Sequence, residues 1–396
     1  MTIEDLERLP LDVAAHRSWF QELVAMGREG IPRATADAAR RGLGVAAKAI
    51  GLELLEMEGA APTFLLVPPG SATPEMTVFT TWHAESRPVL PAALEGAERT
   101  ALMAAIRALS GVAAAEGRAS RAALIAAPGA THGSLVLERW LRERRTSLQA
   151  PVAFWPRIGP QGGRRRRVYL GARGLVVLGV RGDTNPYLLR DRIVSDLSRD
   201  AFGPRPLDFE LLRKVARSEA EMDLLEETID DPGSVPGEGE DRLRAALFEP
   251  RGTVLRPAVH HPDRPAAWIT IEIAEDMDPQ AVAASAREHA GEVPIDLVEG
   301  FPWDRHNIHH PAVQATIRTA KHRSEGAEIW PMAPWVTPSG LFTRALGTPL
   351  VEWSVPLPSG APLRSPGAEA LLTVEREIAE VLLRGSGALE SANTGS

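Results

Sequence analysis

The chain has 396 residues, with 44% apolar and 24% charged side chains, which is enough to bury a sizeable core and argues against bulk disorder. A formal net charge of −8 argues against a general nucleic-acid binder, and the absence of cysteine excludes disulfides, thiolate nucleophiles and Cys-ligated metals. No apolar run is long enough to span a membrane, and a start carrying Glu4, Asp5 and Glu7 does not read as a signal peptide, so a cytoplasmic protein is expected.

In chain order, residues 11–26 have helical apolar spacing, broken at Ile31-Pro32, and residues 35–50 read as a second helix stopped by Gly51. Short apolar runs at 63–67 and 76–81 read as strands, separated by the turn-rich Pro68-Pro69-Gly70-Ser71. A helix is expected over 98–109, a buried strand over 122–127 and a helix over 135–145. Strands alternating with helices imply a mainly parallel sheet covered on both faces. The basic run Arg164 to Arg167 reads as a solvated turn, with an anion patch as its alternative.

Residues 168–170 and 175–180 are β-rich, and 187–202 are helical. A polar stretch follows from Gly203 to Glu249, with a surface loop expected over 231–237. Strands at 253–259 and 268–273, a helix at 278–290 and a strand at 293–298 complete a β-α-β-β-α-β order, which suits a ferredoxin-like unit. Beyond Phe301 the α/β pattern resumes, with a helix at 311–320, a strand at 349–353 and a helix at 369–383. The expected architecture is α/β: a mainly parallel-sheet, catalytic-type domain formed by residues 1–163 and 304–384. An α+β lid or dimerisation domain is inserted at 164–303, and a Gly/Ser-rich tail at 385–396 is expected to be disordered.

Four segments carry a resemblance. The strand at 76–81 runs into Trp82-His83-Ala84-Glu85, and Gly96-Ala97-Glu98 opens a helix. The strand at 122–127 ends in Pro128-Gly129-Ala130-Thr131-His132-Gly133-Ser134, and Tyr169-Leu170-Gly171-Ala172-Arg173-Gly174 enters the inserted unit. In order and spacing, from Asp12 to Leu383, the chain resembles the dizinc family of aminoacylase, acetylornithine deacetylase, succinyl-diaminopimelate desuccinylase and the glutamate carboxypeptidases. The resemblance implies a zinc-binding role for His83, with Glu85 as the carboxylate that orients it, and a metal-bridging role for Glu98. It also implies a Glu-Glu pair, general base and ligand, where Ala130 and Thr131 stand. An acidic ligand is implied near Pro151 to Arg157, where no acid occurs. A substrate-contacting His is implied where Asp183-Thr184-Asn185 stands, an Arg at Ala274, and a last His ligand at or near Arg364.

These departures have chemical consequences. A dizinc site needs about four protein ligands per metal, shared groups included, and only His83 and Glu98 remain from that set. Ala130 cannot move a proton, whereas a positioned general base contributes about 10²–10⁴-fold to a rate. Arg157 and Arg364 would add positive charge where a dication should sit. No cofactor is therefore expected. The alternative is a single zinc held by His83, Glu98 and His132, unless His132 only hydrogen-bonds in a tight turn.

Trp82, Trp155 and Trp335 fall at metal-site positions. They read either as the walls of an apolar pocket, with Arg157 or Arg364 gripping a carboxylate and Asn185 and Ser339 adding polar contacts, or as ordinary core. His306-Asn307-Ile308-His309-His310 reads as a structural turn before a helix, and no Gly-x-Ser-x-Gly elbow is present. Three functions follow. The first is a repurposed metal-free enzyme for an acylated amino acid or similar amide, with His83 and Glu85 as an acid/base pair. The second is a non-catalytic binding or partner protein, and the third a single-zinc amidohydrolase. The expected partners are a small amide- or carboxylate-bearing molecule and a second copy joined through the inserted domain, with neither nucleic acid nor membrane.

Overall fold

The structure is a computed structural model that describes residues 32–57, 62–70, 73–83, 92–116, 120–128, 135–158, 166–182, 184–200, 206–215, 239–256, 265–274, 277–324, 326–355 and 368–385. The expected helix at 11–26, the loop at 231–237 and the tail at 386–396 lie outside these residues. The first described element is helix α1 (Pro32–Ala49), after which Gly51 turns the chain with a φ of 72°. β1 (Glu53–Met57) and β2 (Thr63–Val67) pair antiparallel. Next come β3 (Met76–His83), α2 (Ala92–Glu116), β4 (Ala122–Pro128), α3 (Leu135–Glu143), the single turn α4 (Arg145–Leu148) and β5 (Ala153–Ile158). Two short strands follow, β6 (Arg167–Tyr169) and β7 (Gly171–Ala172).

The inserted unit contains β8 (Gly174–Val180), α5 (Pro186–Asp200), α6 (Pro206–Val215), α7 (Gly239–Phe248), β9 (Arg251–Leu255), β10 (Ala267–Ile273), α8 (Pro279–Ala290) and β11 (Ile295–Phe301). The chain returns through β12 (Asp304–Arg305), α9 (Pro311–Arg323), β13 (Glu328–Trp330), α10 (Ser339–Leu346), β14 (Leu350–Val355) and α11 (Ala368–Gly385). Among the described residues no helix is long and apolar enough to cross a membrane.

The strands form a mixed eight-stranded sheet in the order β1-β2-β4-β3-β5-β14-β6-β13, whose central four (β4, β3, β5, β14) run parallel. Runs such as Thr-Phe-Leu-Leu-Val in β2 are apolar at nearly every position because both faces are covered. One face packs Phe64, Val78, Phe154 and Trp353 against α1, α2, α9 and α11. The other packs Phe79, Ala153, Trp155 and Leu350 against α3, α4 and α10, and reaches Leu175, Val177 and Phe301 of the inserted unit. Each Leu, Ile or Phe so buried contributes roughly 1.5–3 kcal/mol, which offsets the ordering of the chain.

The second sheet has the order β11-β8-β10-β9, all antiparallel, as the ferredoxin-like reading requires. Its patterning is local. β10 alternates buried and half-buried positions, so that Ile269, Ile271 and Ile273 face α5 and α8. Helix α8 is bounded by Asp278, whose side chain accepts from Gln280 N at 3.1 Å, by Pro279 at its first turn, and by Gly291 at φ 62°.

Three expectations change. Residues 167–169 belong to the large sheet, pairing antiparallel with β14 and parallel with β13, so the second sheet begins only at Gly174. The polar stretch 203–249 holds two helices, α6 and α7. Leu212, Leu243 and Phe248 from these cover Tyr169, Trp330 and Met332, giving it a core that periodicity over so few turns does not announce. The basic run is not simply solvated. Arg166 pairs with Glu377 at 2.6 Å and Arg167 with Glu328 at 3.1 Å, and both guanidinium side chains are largely buried. Arg164 and Arg165 lie outside the described residues.

Where the chain leaves the inserted unit, a polar knot ties β12 to α10. The Asp304 carboxylate accepts from the hydroxyls of Ser339 at 2.7 Å and Thr343 at 2.8 Å, and its other oxygen accepts from Arg305 N at 2.8 Å. Beside it Gly340 lies so close to the backbone of Pro302 and Trp303 that an added Cβ would collide with the Pro302 carbonyl. Neither backbone segment can move away cheaply. Gly340→Ala is expected to lower unfolding free energy by about 1–3 kcal/mol in urea titrations, as an overpacked core does.

Candidate active site

The central parallel strands put the carboxyl ends of β4, β3, β5 and β14 side by side at one edge of the sheet. Such an edge is where open α/β sheets hold ligands, because the strand-to-helix connections gather there. β3 ends at His83 and β4 at Pro128, and the residues 84–91, 129–134, 159–165 and 356–367 follow these four strands. Those segments carry Glu85, His132 and Arg364 and lie outside the described residues, so for these only the attachment points are known. The side chains of His83 and Glu98 are likewise not described. His83 closes β3 and Glu98 lies in α2.

Next to His83 in the sheet order, β5 and β14 build a polar cluster on the face shared with α3 and α10. The register sets Trp155 opposite Glu352, and the pleat puts Trp155, Arg157 and Glu352 on that same face. The Arg157 guanidinium lies 4.5 Å from the Trp335 ring centroid and 5.3 Å from that of Trp155, and its Nη1 donates to Glu352 Oε1 at 2.9 Å. The Trp335 indole N–H donates to the same oxygen at 2.8 Å. Each cation–π contact contributes about 0.5–2 kcal/mol. Tyr169 closes the cluster, its ring 5.1 Å from that of Trp335.

The electrostatics are those of a charged pair pulled out of water. Burial pushes the Glu352 carboxyl above its ordinary range, and the charge and hydrogen bond of Arg157 together with the Trp335 bond pull it back. Burial likewise pushes the Tyr169 phenol up. Glu352 Oε2 and the Tyr169 hydroxyl are buried with no hydrogen-bond partner among the described residues. The Arg157 side chain keeps 22% of its surface exposed against 4% for Glu352, so the guanidinium is the more accessible of the two.

Solved structures match this architecture over nearly the whole chain. A metallo-carboxypeptidase of the M20 family, Sso-CP2 from Sulfolobus solfataricus, matches with a TM-score of 0.69 at 16% identity, covering 94% of this chain and 99% of that one. The fold is that of the M20 metallopeptidases. The di-peptidase Dug1p from Saccharomyces cerevisiae (TM-score 0.64, 12% identity, 97% of this chain and 98% of that one) shares it. So does human carnosine dipeptidase 1, with a TM-score of 0.60 at 11% identity over 93% of this chain and 97% of that one. No family model matches the sequence, and no curated protein matches it, so the likeness rests on architecture.

Within the M20 fold the expected site residues separate into groups. Trp155, Arg157 and Trp335 come together. Trp82 does not join them: it is buried on the opposite face of the sheet, against Phe64 at 5.7 Å, with its indole N–H donating to Pro62 O at 2.9 Å. Asn185 is exposed and caps α5, its Oδ1 accepting from Tyr187 N and Leu188 N at 3.1 and 3.4 Å. Ser339 is buried and held by Asp304, as described above. His310 caps α9, its Nδ1 accepting from Ala312 N at 3.2 Å, which agrees with the structural reading of that histidine cluster.

The position on β5 where the resemblance calls for an acidic ligand does not fit a metal. Its end offers Trp155, Pro156 and Arg157, and a guanidinium has no lone pair to give and repels a cation. Glu352 and Tyr169 are the residues of this cluster that sequence reasoning missed. The signal for Glu352 was present: it is the single charged residue in a largely apolar, mostly buried strand, Leu-Val-Glu-Trp-Ser-Val.

Proposed function

We propose that this chain is a metal-independent enzyme on the M20 fold, acting on a small carboxylate-bearing amide such as an acylated amino acid. The observation that carries this reading is Arg157, its guanidinium over the rings of both Trp155 and Trp335 and partly open to solvent where the fold's resemblance expects a metal-binding acid. A planar cation fixed on aromatic walls suits a carboxylate, which it binds with two parallel hydrogen bonds, and the indoles suit an acyl chain. His83, at the end of the neighbouring strand, and Glu85, two residues on, supply the acid/base pair. The reactions within reach are those that need proton transfer and positioning alone: amide or ring formation, acyl transfer or isomerisation. Ala130 and Thr131 in place of the two glutamates support the same conclusion, since neither ligates a zinc well nor acts as a base.

The test is tryptophan fluorescence against a panel of N-acylated amino acids, with protein stripped by a strong chelator run in parallel. Saturable quenching that survives chelation and disappears in Arg157→Leu is expected. Two zinc ions per chain in elemental analysis of native protein, with quenching lost on their removal, would overturn the reading. His83→Ala is expected to retain quenching and lose turnover; unchanged turnover would remove the acid/base role.

A further inference from the structure

Glu352 has two environments, depending on what Arg157 holds. In the described state its Oε1 accepts from Arg157 and Trp335, while Oε2 is buried without a partner among the described residues. The guanidinium bridges this buried carboxylate and the open side of the site. A ligand carboxylate that takes Arg157 in a bidentate contact draws its charge away from Glu352. The carboxylate left behind would then be a buried anion with the Trp335 indole N–H as its donor but no countercharge on Arg157, which is costly to keep charged.

We infer that Glu352 is the proton-accepting partner of the Arg157 anion site, so that binding of a carboxylate ligand is coupled to uptake of one proton by the Glu352 carboxyl. The inference rests on the proposed carboxylate-binding reading and adds its regulation by pH. The balance is simple: one ligand anion and one solvent proton enter together, and the Glu352 O–H then has the Tyr169 hydroxyl within the same buried cluster as a neutral neighbour. Among the described residues the charged and titratable groups near Glu352 are few. Arg157 reaches it from β5. From β6 come Tyr169 and Arg167, the latter held by Glu328 of β13, and Trp335 precedes α10. Arg251 approaches from the inserted unit but is bound to Glu272 and the Pro334 carbonyl. Arg344 of α10 pairs on the surface with Glu138 of α3. His322, Arg323 and Arg384 gather around Glu380 on the opposite face. Burial already lifts Glu352 toward the protonated form, so loss of Arg157's full charge has a group ready to respond.

The experiment is calorimetric titration of the full chain with N-acetylglycine at about pH 6, in buffers of different ionisation enthalpy, which reads protons taken up per ligand bound. Wild type is expected to take up close to one proton, and its affinity to fall as pH rises. Glu352→Gln is expected to bind without uptake. Trp335→Phe removes a donor to the ionised form and is expected to move the midpoint of uptake to higher pH, which serves if the glutamine variant fails to fold. N-Acetylglycine binding with no buffer dependence, or a midpoint unmoved in Trp335→Phe, overturns the inference and leaves the carboxylate site standing. No binding by any N-acylated amino acid overturns both.

Discussion

Arg157→Leu is expected to abolish quenching by N-acylated amino acids and to lower unfolding free energy by about 3–5 kcal/mol near neutral pH, the cost of leaving a buried charge without its partner. The buried charge is Glu352, whose strongest attraction is to Arg157 at 2.9 Å. The sign with pH follows from that loss. Burial already holds Glu352 above its ordinary value of 4.5, and removing Arg157 raises it further. Folding then favours the protonated acid, so the variant's deficit should shrink as pH falls through the raised pKa and be largest above it. Urea unfolding of both proteins across that range measures this directly. The double variant Arg157→Leu with Glu352→Leu separates the two effects of the single change: it should regain most of the stability, because paired apolar replacements in a core are often neutral, yet still fail to bind. A single variant as stable as wild type at neutral pH would mean that Glu352 is solvated, and the described cluster would be wrong.

That pair shows what a sequence can and cannot disclose. Arg157 stood out because a basic residue occupied a place where an acid was expected. Its partner lies 195 residues away and meets it only through the parallel register of β5 and β14, which no local pattern encodes. The four-stranded sheet of the inserted unit was legible, since β10 alternates strictly and its neighbours follow in the expected order, whereas α6 and α7 were not. The strand β6 was misplaced because three residues fit either sheet, and pairing with β14 decided the matter. Trp82 and Trp155 looked equivalent as letters, but the pleat sends them to opposite faces, and only one reaches the cluster.

The second large effect concerns the last helix. α11 carries three buried carboxylates, at Glu375, Glu377 and Glu380, which meet different neighbours. Glu380 is surrounded by Arg323, Arg384 and His322 at 2.7, 2.8 and 3.0 Å, and Glu377 faces Arg166. Glu375 has Arg107 of α2 at 2.5 Å, whose charge and hydrogen bond favour the ionised carboxylate. Burial outweighs that attraction and pushes Glu375 up to about 7. A carboxyl raised from 4.5 to about 7 favours folding when protonated, so its contribution is fully present below pH 4.5 and lost as pH rises to about 7. The span corresponds to roughly 3 kcal/mol as an order of magnitude. Replacing the pair with Arg107→Met and Glu375→Leu removes the titrating group and both desolvated charges. That double variant should match or exceed wild type by about 1–4 kcal/mol above neutral pH and lose the advantage in acid, while Glu375→Leu alone strands Arg107 and costs about 3–5 kcal/mol. Parallel urea-unfolding profiles for wild type and the double variant, with a constant gap from acid to neutral pH, would show that the Glu375 pair does not titrate with folding and that α11 docks on α2 by its apolar side chains alone.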